Sequence, residues 1–138
     1  MRVDDLKIII CLDEQNGYMF NHRRQSMDRL LRQRLLSLLD GKRLWMSEYT
    51  KRQFSEEGNF SVDDEYEKKA APDDFCFIED KGYDISRCDE IWIFRWNRKY
   101  PYDKMFDEDL EKEGFRLDET QTFVGSSHEE IGLEIYKK

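Results

Sequence analysis

The sequence has 138 residues, a formal net charge of −8 and 38 % hydrophobic residues, which predicts one folded domain over residues 1–138 rather than a disordered chain. Its longest strictly apolar run, residues 8–12, is far shorter than the roughly 18 residues of a membrane span, and no signal-peptide pattern opens the chain. We therefore expect a cytoplasmic protein without a membrane partner. The three cysteines are widely spaced, which excludes a disulfide framework and a paired-cysteine metal site.

The first half of the chain is expected to alternate strands and helices. A continuous β-branched run at its start is typical of a central strand covered on both faces. Leucines then recur every three or four residues in a helix that Ser26 is expected to cap. The predicted elements are a strand at 6–12, a helix at 27–39, a strand at 43–46 and a second helix that Ser47 caps and that ends near residue 54. This alternation implies parallel strand pairing.

The second half is predicted to be richer in strands. The strongest of them is aromatic, with Trp92, Phe94 and Trp96 on one face and Ile91 and Ile93 on the other. The predicted elements are strands at 59–62, 74–78, 90–96, 114–124 and 129–137, and a short helix at 65–71.

The last two strands are separated by Gly125-Ser-Ser-His128, and we expect them to form an antiparallel pair. This segment could instead supply a nucleophile and a base. A turn is favoured, because adjacent residues on an extended chain point to opposite sides. The sequence thus predicts an α/β domain with a mainly parallel sheet, flanking helices and a C-terminal antiparallel pair.

Charge is unevenly distributed along the chain. Residues 20–54 contain nine basic and three acidic side chains, so this segment carries +6 and the remainder carries −14. A solvated helix face is the simplest interpretation. An anion site for phosphate or carboxylate is the main alternative, and nucleic-acid binding is disfavoured because no aromatic-interleaved basic stripe accompanies the charge.

Common catalytic motifs are missing from the sequence. It contains no GxGxxG, GxxxxGK[ST] or GxSxG pattern. Its two histidines, His22 and His128, are over a hundred residues apart, so no metal site is predicted.

Four blocks of sequence resemble dihydrofolate reductase in order and spacing. The first matches that family's first strand and following loop, the second its second strand and the turn into a helix, with Met46 and Thr50 on matching positions. The third matches a late strand and the acidic loop after it, and the last matches the two final strands. These blocks are residues 8–17, 41–50, 89–96 followed by Asp103 and Phe106, and 115–117 with 133–138. The resemblance implies that family's fold along the whole chain and a reductase as one candidate activity.

The same resemblance makes Asp28 the catalytic candidate, because the family's essential carboxylate lies just inside its first helix. In an apolar cleft, desolvation would disfavour the charged form of Asp28, as acid chemistry near neutral pH requires. The alternative is that Asp28 only stabilises the helix start, with Arg32 four residues on.

Several positions depart from the family's pattern. Glu79 and Asp80 stand where the family has a paired glycine beside the cofactor pyrophosphate, and their charge would repel that group. Glu48 stands at the place of a phosphate-binding basic residue, and Phe94 at that of the hydroxyl residue linked to the catalytic acid. Ordinary use of NADPH and folate is therefore not expected, and the cofactor is left unassigned.

The segment before the first long helix is cationic and polar. Its predicted ligand-binding residues are Asn21, His22, Arg23, Arg24 and Gln25. Together with residues 44–46 it also resembles small bacterial proteins named ribonuclease Z, although the chain lacks the HxHxDH metal motif of the true enzyme.

Three main functions follow as hypotheses. The first is binding of an anionic small molecule through Arg23 and Arg24 without normal NADPH or folate use. The second is an NAD(P)H-dependent reductase of a pterin-like substrate that uses Asp28. The third is a non-catalytic module whose aromatic side chains bind a protein partner. Those aromatic residues are Trp45, Trp96, Tyr100 and Tyr102.

Overall fold

The computed structural model describes residues 6–138; residues 1–5, which the predicted domain and the signal-peptide argument include, lie outside the described residues. Ten strands, three α-helices and one short 3₁₀ helix at Ile85–Arg87 are present in this part of the chain. They are β1 Leu6–Leu12, β2 Gly17–Phe20, β3 Arg23–Arg24, α1 Arg29–Leu39, β4 Leu44–Met46, α2 Glu48–Lys51, β5 Phe60–Val62, α3 Tyr66–Lys69, β6 Phe75–Ile78, β7 Cys88–Arg95, β8 Lys104–Met105, β9 Arg116–Phe123 and β10 Ile131–Lys137.

Seven of these strands form the main sheet in the order β5-β4-β6-β1-β7-β10-β9. The strands from β5 to β7 pair in parallel, whereas β10 is antiparallel to both β7 and β9. The predicted α/β class, with a mainly parallel sheet and a C-terminal antiparallel pair, is confirmed.

Apolar side chains cover the sheet on both faces. Ile9 faces a cluster with Trp92, Phe94 and Trp96, against which the leucines of α1 pack. Ile8 and Ile10 face the opposite cluster, which contains Ile91 and Ile93. The predicted division of β7 between two faces is confirmed. Burial on both faces also explains why residues 8–12 of β1 are all apolar, since that part of the strand has no solvent-facing position.

Helix α1 begins two residues later than predicted, and the residue that caps it is Asp28 rather than Ser26. Asp28 has extended backbone angles, and its Oδ1 accepts hydrogen bonds from the N–H groups of Leu30 and Leu31. These are donors that a helix start leaves without intrahelical partners. The helix ends at Asp40 and Gly41, as predicted, and both have left-handed backbone angles.

A second, three-stranded sheet in the order β3-β2-β8 was not predicted. Strands β2 and β3 form a hairpin whose two connecting residues, Asn21 and His22, have positive φ angles of 52° and 61°. Two successive left-handed residues are the geometry of the tightest hairpin turn, which glycine usually fills at its second position. With histidine there, and with strands of four residues and two, the sequence carries little signal for the hairpin.

Candidate functional site

The segment 125–128 closes over the start of α1 and supplies most of the hydrogen bonds to Asp28. The backbone N–H groups of Ser126 and Ser127 lie 2.9 and 2.8 Å from the two carboxylate oxygens. Both serine hydroxyls lie 3.1 Å from the same carboxylate. Since the segment is 98 to 100 residues from Asp28 in sequence, the β9–β10 connection and α1 are joined through one buried carboxylate.

These hydrogen bonds set the charge state of Asp28, whose exposed fraction is 2 %. Burial alone would raise the pKa of Asp28, but N–H groups of Ser126 and Ser127 and the ring of His128 hold it well below its usual range. The expected preference for the neutral acid is therefore wrong, because the folded chain surrounds the carboxylate with donors. Asp28 is an ionised anchor in this geometry and holds no proton to give near neutral pH.

His128 is the third partner of Asp28. Its Nδ1 lies 3.1 Å from Asp28 Oδ2, and its ring stacks on Trp96 with centroids 4.5 Å apart. Its Nε2 faces two hydroxyls, that of Tyr100 at 2.9 Å and that of Ser26 at 3.2 Å. The imidazole is 4 % exposed and connects the carboxylate to two side chains at the edge of the protein interior.

Gly125 allows the segment to approach Asp28 this closely. A Cβ atom on Gly125 would lie 2.5 Å from Asp28 Oδ2 and 2.6 Å from Ile131 Cδ1. Both distances are shorter than real Cβ contacts, so the position has no room for a side chain.

The predicted ligand-binding residues lie together on the β2–β3 hairpin and the chain after it. A cleft of about 480 Å³ is lined by four of them, Asn21, Arg23, Arg24 and Gln25, together with Phe20, Tyr100 and Pro101. His22 is exposed at the hairpin tip and is not among these lining residues. Gln25 is held in place by a hydrogen bond, in which its Nε2 donates to Asp13 Oδ2 at 3.1 Å. Asp28 lies outside this cleft, under the segment 125–128.

The sequence suggested that Arg24 would bind an external anion, but its guanidinium is already engaged within the chain. Its Nε and Nη2 donate to the two carboxylate oxygens of Glu79 at 3.0 and 3.2 Å, and Nη2 also reaches the carbonyl oxygen of Tyr49. Burial would lower the pKa of Arg24, but the hydrogen bond to Glu79 and the charge of Glu79 have the larger combined effect, so the pKa is raised. The internal carboxylate already pairs with this guanidinium.

The same ion pair changes the expectation for Glu79 and Asp80. Glu79 also accepts hydrogen bonds from Thr50 Oγ1 at 2.9 Å and Gln53 Nε2 at 3.0 Å, and Asp80 accepts from Ser47 Oγ at 2.6 Å. The sequence suggested two carboxylates repelling a pyrophosphate. In the structure the charge of Glu79 is balanced by Arg24, whereas Asp80 is held by the Ser47 hydroxyl.

Replacing Arg24 with methionine should lower the free energy of unfolding by about 1.5 kcal/mol, because Glu79 would keep its charge in a buried place without its cation. Exchanging Glu79 for glutamine as well should restore most of the loss. Urea unfolding of the two variants and the wild type measures both effects.

An exposed pair supplies the control for this experiment. Lys68 and Glu65 are 76 % and 64 % exposed, and Lys68→Met should change stability by only a few tenths of a kcal/mol. An equal loss in the Arg24 and Lys68 variants would contradict a special role for burial.

Very little space remains in the interior beside the predicted site. A gap of about 10 Å³ lies between Cys11, Tyr18, Gln25, Ser26 and Trp96, with Arg24, Ile78 and Glu79 completing its walls. That is room for about one water molecule. The side chains of the segment 24–26 thus fill the region between the β2–β3 hairpin and the main sheet.

The aromatic residues proposed for a protein partner are not all available. Trp96 is 3 % exposed and belongs to the core, so it offers no surface to a protein partner. Trp45 is partly buried and donates its Nε1–H to Asp74 at 2.9 Å. Tyr102 is 36 % exposed, and Tyr100 is partly buried against His128. An aromatic patch made of all four residues therefore does not form.

Two features are absent from residues 6–138. No group of three or more His, Cys, Asp or Glu side chains in 6–138 is arranged to hold a metal ion. In the same range no helix has both the length and the apolar character needed to cross a bilayer.

Comparison with known proteins gives a structural likeness and no sequence match. No protein-family model and no curated protein matches the chain. Among solved structures, it is similar to a dihydrofolate reductase from Enterococcus faecalis complexed with NADP(H) and RAB-propyl. The two share 13 % sequence identity with a TM-score of 0.63, over 99 % of this chain and 98 % of that one. The fold is therefore dihydrofolate-reductase-like.

Sequence reasoning missed most of the polar cluster around Asp28. Ser126, Ser127 and His128 were interpreted as turn residues, and the segment is indeed closed by a hydrogen bond from the Gly125 N–H to the His128 oxygen. The same residues bind Asp28 through their remaining groups. The available signal was the combination of glycine, two small donors and a histidine between the last two strands, where the fold brings the connection back to the start of α1.

Proposed function

We propose that this chain binds a small anionic molecule through Arg23, at the mouth of the cleft beside the β2–β3 hairpin. The observation that carries the proposal is the sign of the charge there. Arg23 lines this cleft and a neighbouring one of about 400 Å³ lined by Arg24, Ser26, Met27 and Tyr49. Within residues 6–138, neither set of lining residues includes a carboxylate, although the chain has a net charge of −8.

Arg23 is the cation available for this role. Its side chain is exposed and forms no ion pair within the described part of the chain, in contrast to Arg24. The hairpin turn fixes the backbone on which Arg23 stands, through its pairing with Phe20. Asp103 accepts a hydrogen bond from the Asn21 N–H nearby, but it does not line the cleft. An anion that presents two oxygens side by side, such as carboxylate or phosphate, matches the paired N–H donors of a guanidinium.

The filled interior supports binding without normal NADPH and folate use. The 10 Å³ gap has no room for a pterin or nicotinamide ring unless the side chains around it move aside. The low pKa of Asp28 also disfavours a proton-donating role for this carboxylate. A ligand held at the cleft mouth needs neither movement of these side chains nor a proton from Asp28.

A reductase of a pterin-like substrate remains the second candidate, because the fold is dihydrofolate-reductase-like and Asp28 lies at the start of α1. It would require a conformation in which the hairpin and residues 24–26 open. NADPH and dihydrofolate therefore belong in the test beside simple anions.

The test is a thermal-shift titration with phosphate, AMP, NADPH and dihydrofolate. A phosphate-bearing ligand at 100 times its dissociation constant should stabilise the wild type by about 2.7 kcal/mol. Arg23→Ala should remove this response while leaving the unliganded protein equally stable, because the side chain is exposed.

Arg116 provides the matched control, since it is an exposed arginine on β9 at the far edge of the sheet. Arg116→Ala should respond to the ligand as the wild type does. Equal responses in the wild type and Arg23→Ala, or silence toward both phosphate and AMP, would contradict the proposal. A response only to NADPH or dihydrofolate would favour the reductase.

A further inference from the structure

The cluster around Asp28 has the connectivity of an activated hydroxyl. Asp28 Oδ2 lies 3.1 Å from His128 Nδ1, and His128 Nε2 lies 3.2 Å from Ser26 Oγ. Carboxylate, imidazole and serine hydroxyl thus follow one another at hydrogen-bonding distance. Nδ1 also lies 3.1 Å from Ser127 Oγ, and Nε2 also faces the Tyr100 hydroxyl. The three residues come from the start of α1, the β9–β10 connection and the chain after β3.

The carboxylate determines which nitrogen of the neutral imidazole carries the proton. An ionised Asp28 can only accept, so Nδ1 donates to it and Nε2 is left with a free lone pair. A lone pair at Nε2 can receive the proton of the Ser26 hydroxyl. This is the role of the base in a nucleophilic serine site.

Burial fixes the imidazole in this orientation. Asp28 and His128 are 2 % and 4 % exposed, and the His128 ring is stacked on Trp96 with an interplanar angle of 24°. A base held by a carboxylate on one side and an indole on its face loses little orientation freedom during proton transfer.

Ser26 is placed between this base and open space. It is partly exposed and lines the 400 Å³ cleft together with Arg23, Met27 and Tyr49. A molecule in this cleft could therefore approach Ser26, with Arg23 in the lining of the same cleft to hold a negative group.

We propose that Ser26 is the nucleophile of a hydrolytic site for carboxylic esters that carry an anionic group, with His128 as its base and Asp28 as a positioning residue. Ser26 Oγ bonds to the ester carbonyl carbon while its proton passes to His128 Nε2. The bond from that carbon to the alcohol oxygen breaks, and the alcohol leaves with the proton. Water then attacks the acyl carbon, His128 takes and returns its proton, and the acid departs from regenerated Ser26. The choice of an anionic ester rests on the function proposed above, whereas the nucleophile does not.

Tyr100 competes with Ser26 for the base, since its hydroxyl lies 2.9 Å from the same Nε2. One lone pair can accept one of the two protons at a time. Removing the phenolic hydroxyl should therefore increase the reactivity of Ser26.

The experiment is labelling of the purified full chain with a neutral alkyl fluorophosphonate, followed by intact mass and peptide mapping. We expect one adduct, on Ser26, in which an Oγ–P bond replaces P–F and fluoride leaves. Ser26→Ala should abolish this adduct, and His128→Gln should slow it by about 100-fold. Tyr100→Phe should accelerate it. Ser55→Ala, an exposed loop serine, is the control and should label as the wild type does.

The outcomes separate the two proposals. The probe carries no charge, so labelling of Ser26 in Arg23→Ala tests the nucleophile even if no anion binds. Absence of an adduct in the wild type, an unchanged adduct in Ser26→Ala, or loss of labelling in Tyr100→Phe would each overturn the nucleophile. If His128→Gln does not fold, Ser26→Ala decides, because a partly exposed hydroxyl can be removed without leaving a buried charge.

Discussion

Asp28→Asn should lower the free energy of unfolding by about 3 kcal/mol at neutral pH, because a buried carboxylate with several donors would become an amide. The amide nitrogen would face donors of Ser126, Ser127 or His128 wherever it turned. Urea unfolding measures the loss.

The pH dependence identifies the charge as the cause. The pKa of Asp28 is lowered on folding, so its contribution is complete above the unfolded value of about 3.9 and is lost as pH falls through the folded value. The stability difference between the wild type and Asp28→Asn should therefore shrink below about pH 4. The contributions of other acids whose pKa values shift on folding are the same in both proteins, so they cancel in this difference.

Asp84 is a matched control for that variant. It caps the 3₁₀ helix Ile85–Arg87 in the same manner but is exposed. Asp84→Asn should cost no more than a few tenths of a kcal/mol, since asparagine is also a good N-cap residue. If both variants lost the same amount, or if the Asp28 difference were constant with pH, the charge of Asp28 would not be what holds the segment 125–128.

Gly125→Ala should destabilise the fold by about 2 to 3 kcal/mol, because the new methyl group would overlap Asp28 and Ile131. Both neighbours are buried and already fixed by hydrogen bonds or packing, so the segment 125–128 must move away instead. That movement lengthens the bonds from Ser126 and Ser127 to Asp28. Thermal unfolding and the near-ultraviolet signal of Trp96, which stacks on His128, report the two effects.

Gly82→Ala is the control, since a Cβ there meets nothing within 4 Å and its backbone is not left-handed. This substitution should be neutral or stabilise the protein by up to about 1 kcal/mol through the unfolded state. A Gly125 variant as stable as the Gly82 variant would show that the close approach to Asp28 can relax freely.

The main sheet was predictable because its signals are local. Residues 6–12 form β1 as expected, and the alternation of large aromatic and branched residues in β7 placed its two faces correctly. The hairpin at Asn21 and His22 escaped prediction, because left-handed angles at a histidine are settled by tertiary context. Ser26 was predicted as the cap with Asp28 inside the first turn, whereas Asp28 is the cap in the structure. Both residue types cap helices well, so a local pattern does not fix the helix start to within two positions.

Single residues of the candidate site could be predicted from the sequence, but the hydrogen-bond networks around them could not. The leucine spacing placed Asp28 at the first helix and a family resemblance gave it a candidate role, whereas most of its donors come from about 100 residues away. In the same way, Arg24 pairs with Glu79, which is 55 residues distant. Both networks depend on which chain segments the sheet order brings together. Local patterns do not contain this information, and the charge count of residues 20–54 treated Arg24 as free.

The position of β10 between β7 and β9 has a consequence for biosynthesis. Every residue up to Lys137 must leave the ribosome before the sheet can be completed on this side, because β10 fills an interior place in the strand order. Helix α1 is synthesised about 100 residues earlier. Until segment 125–128 emerges, the carboxylate at the start of α1 lacks the donors that this segment supplies. Vectorial synthesis thus leaves the early half of the chain in an unfinished state, one in which apolar strand β7 exposes an edge that chaperones could recognise.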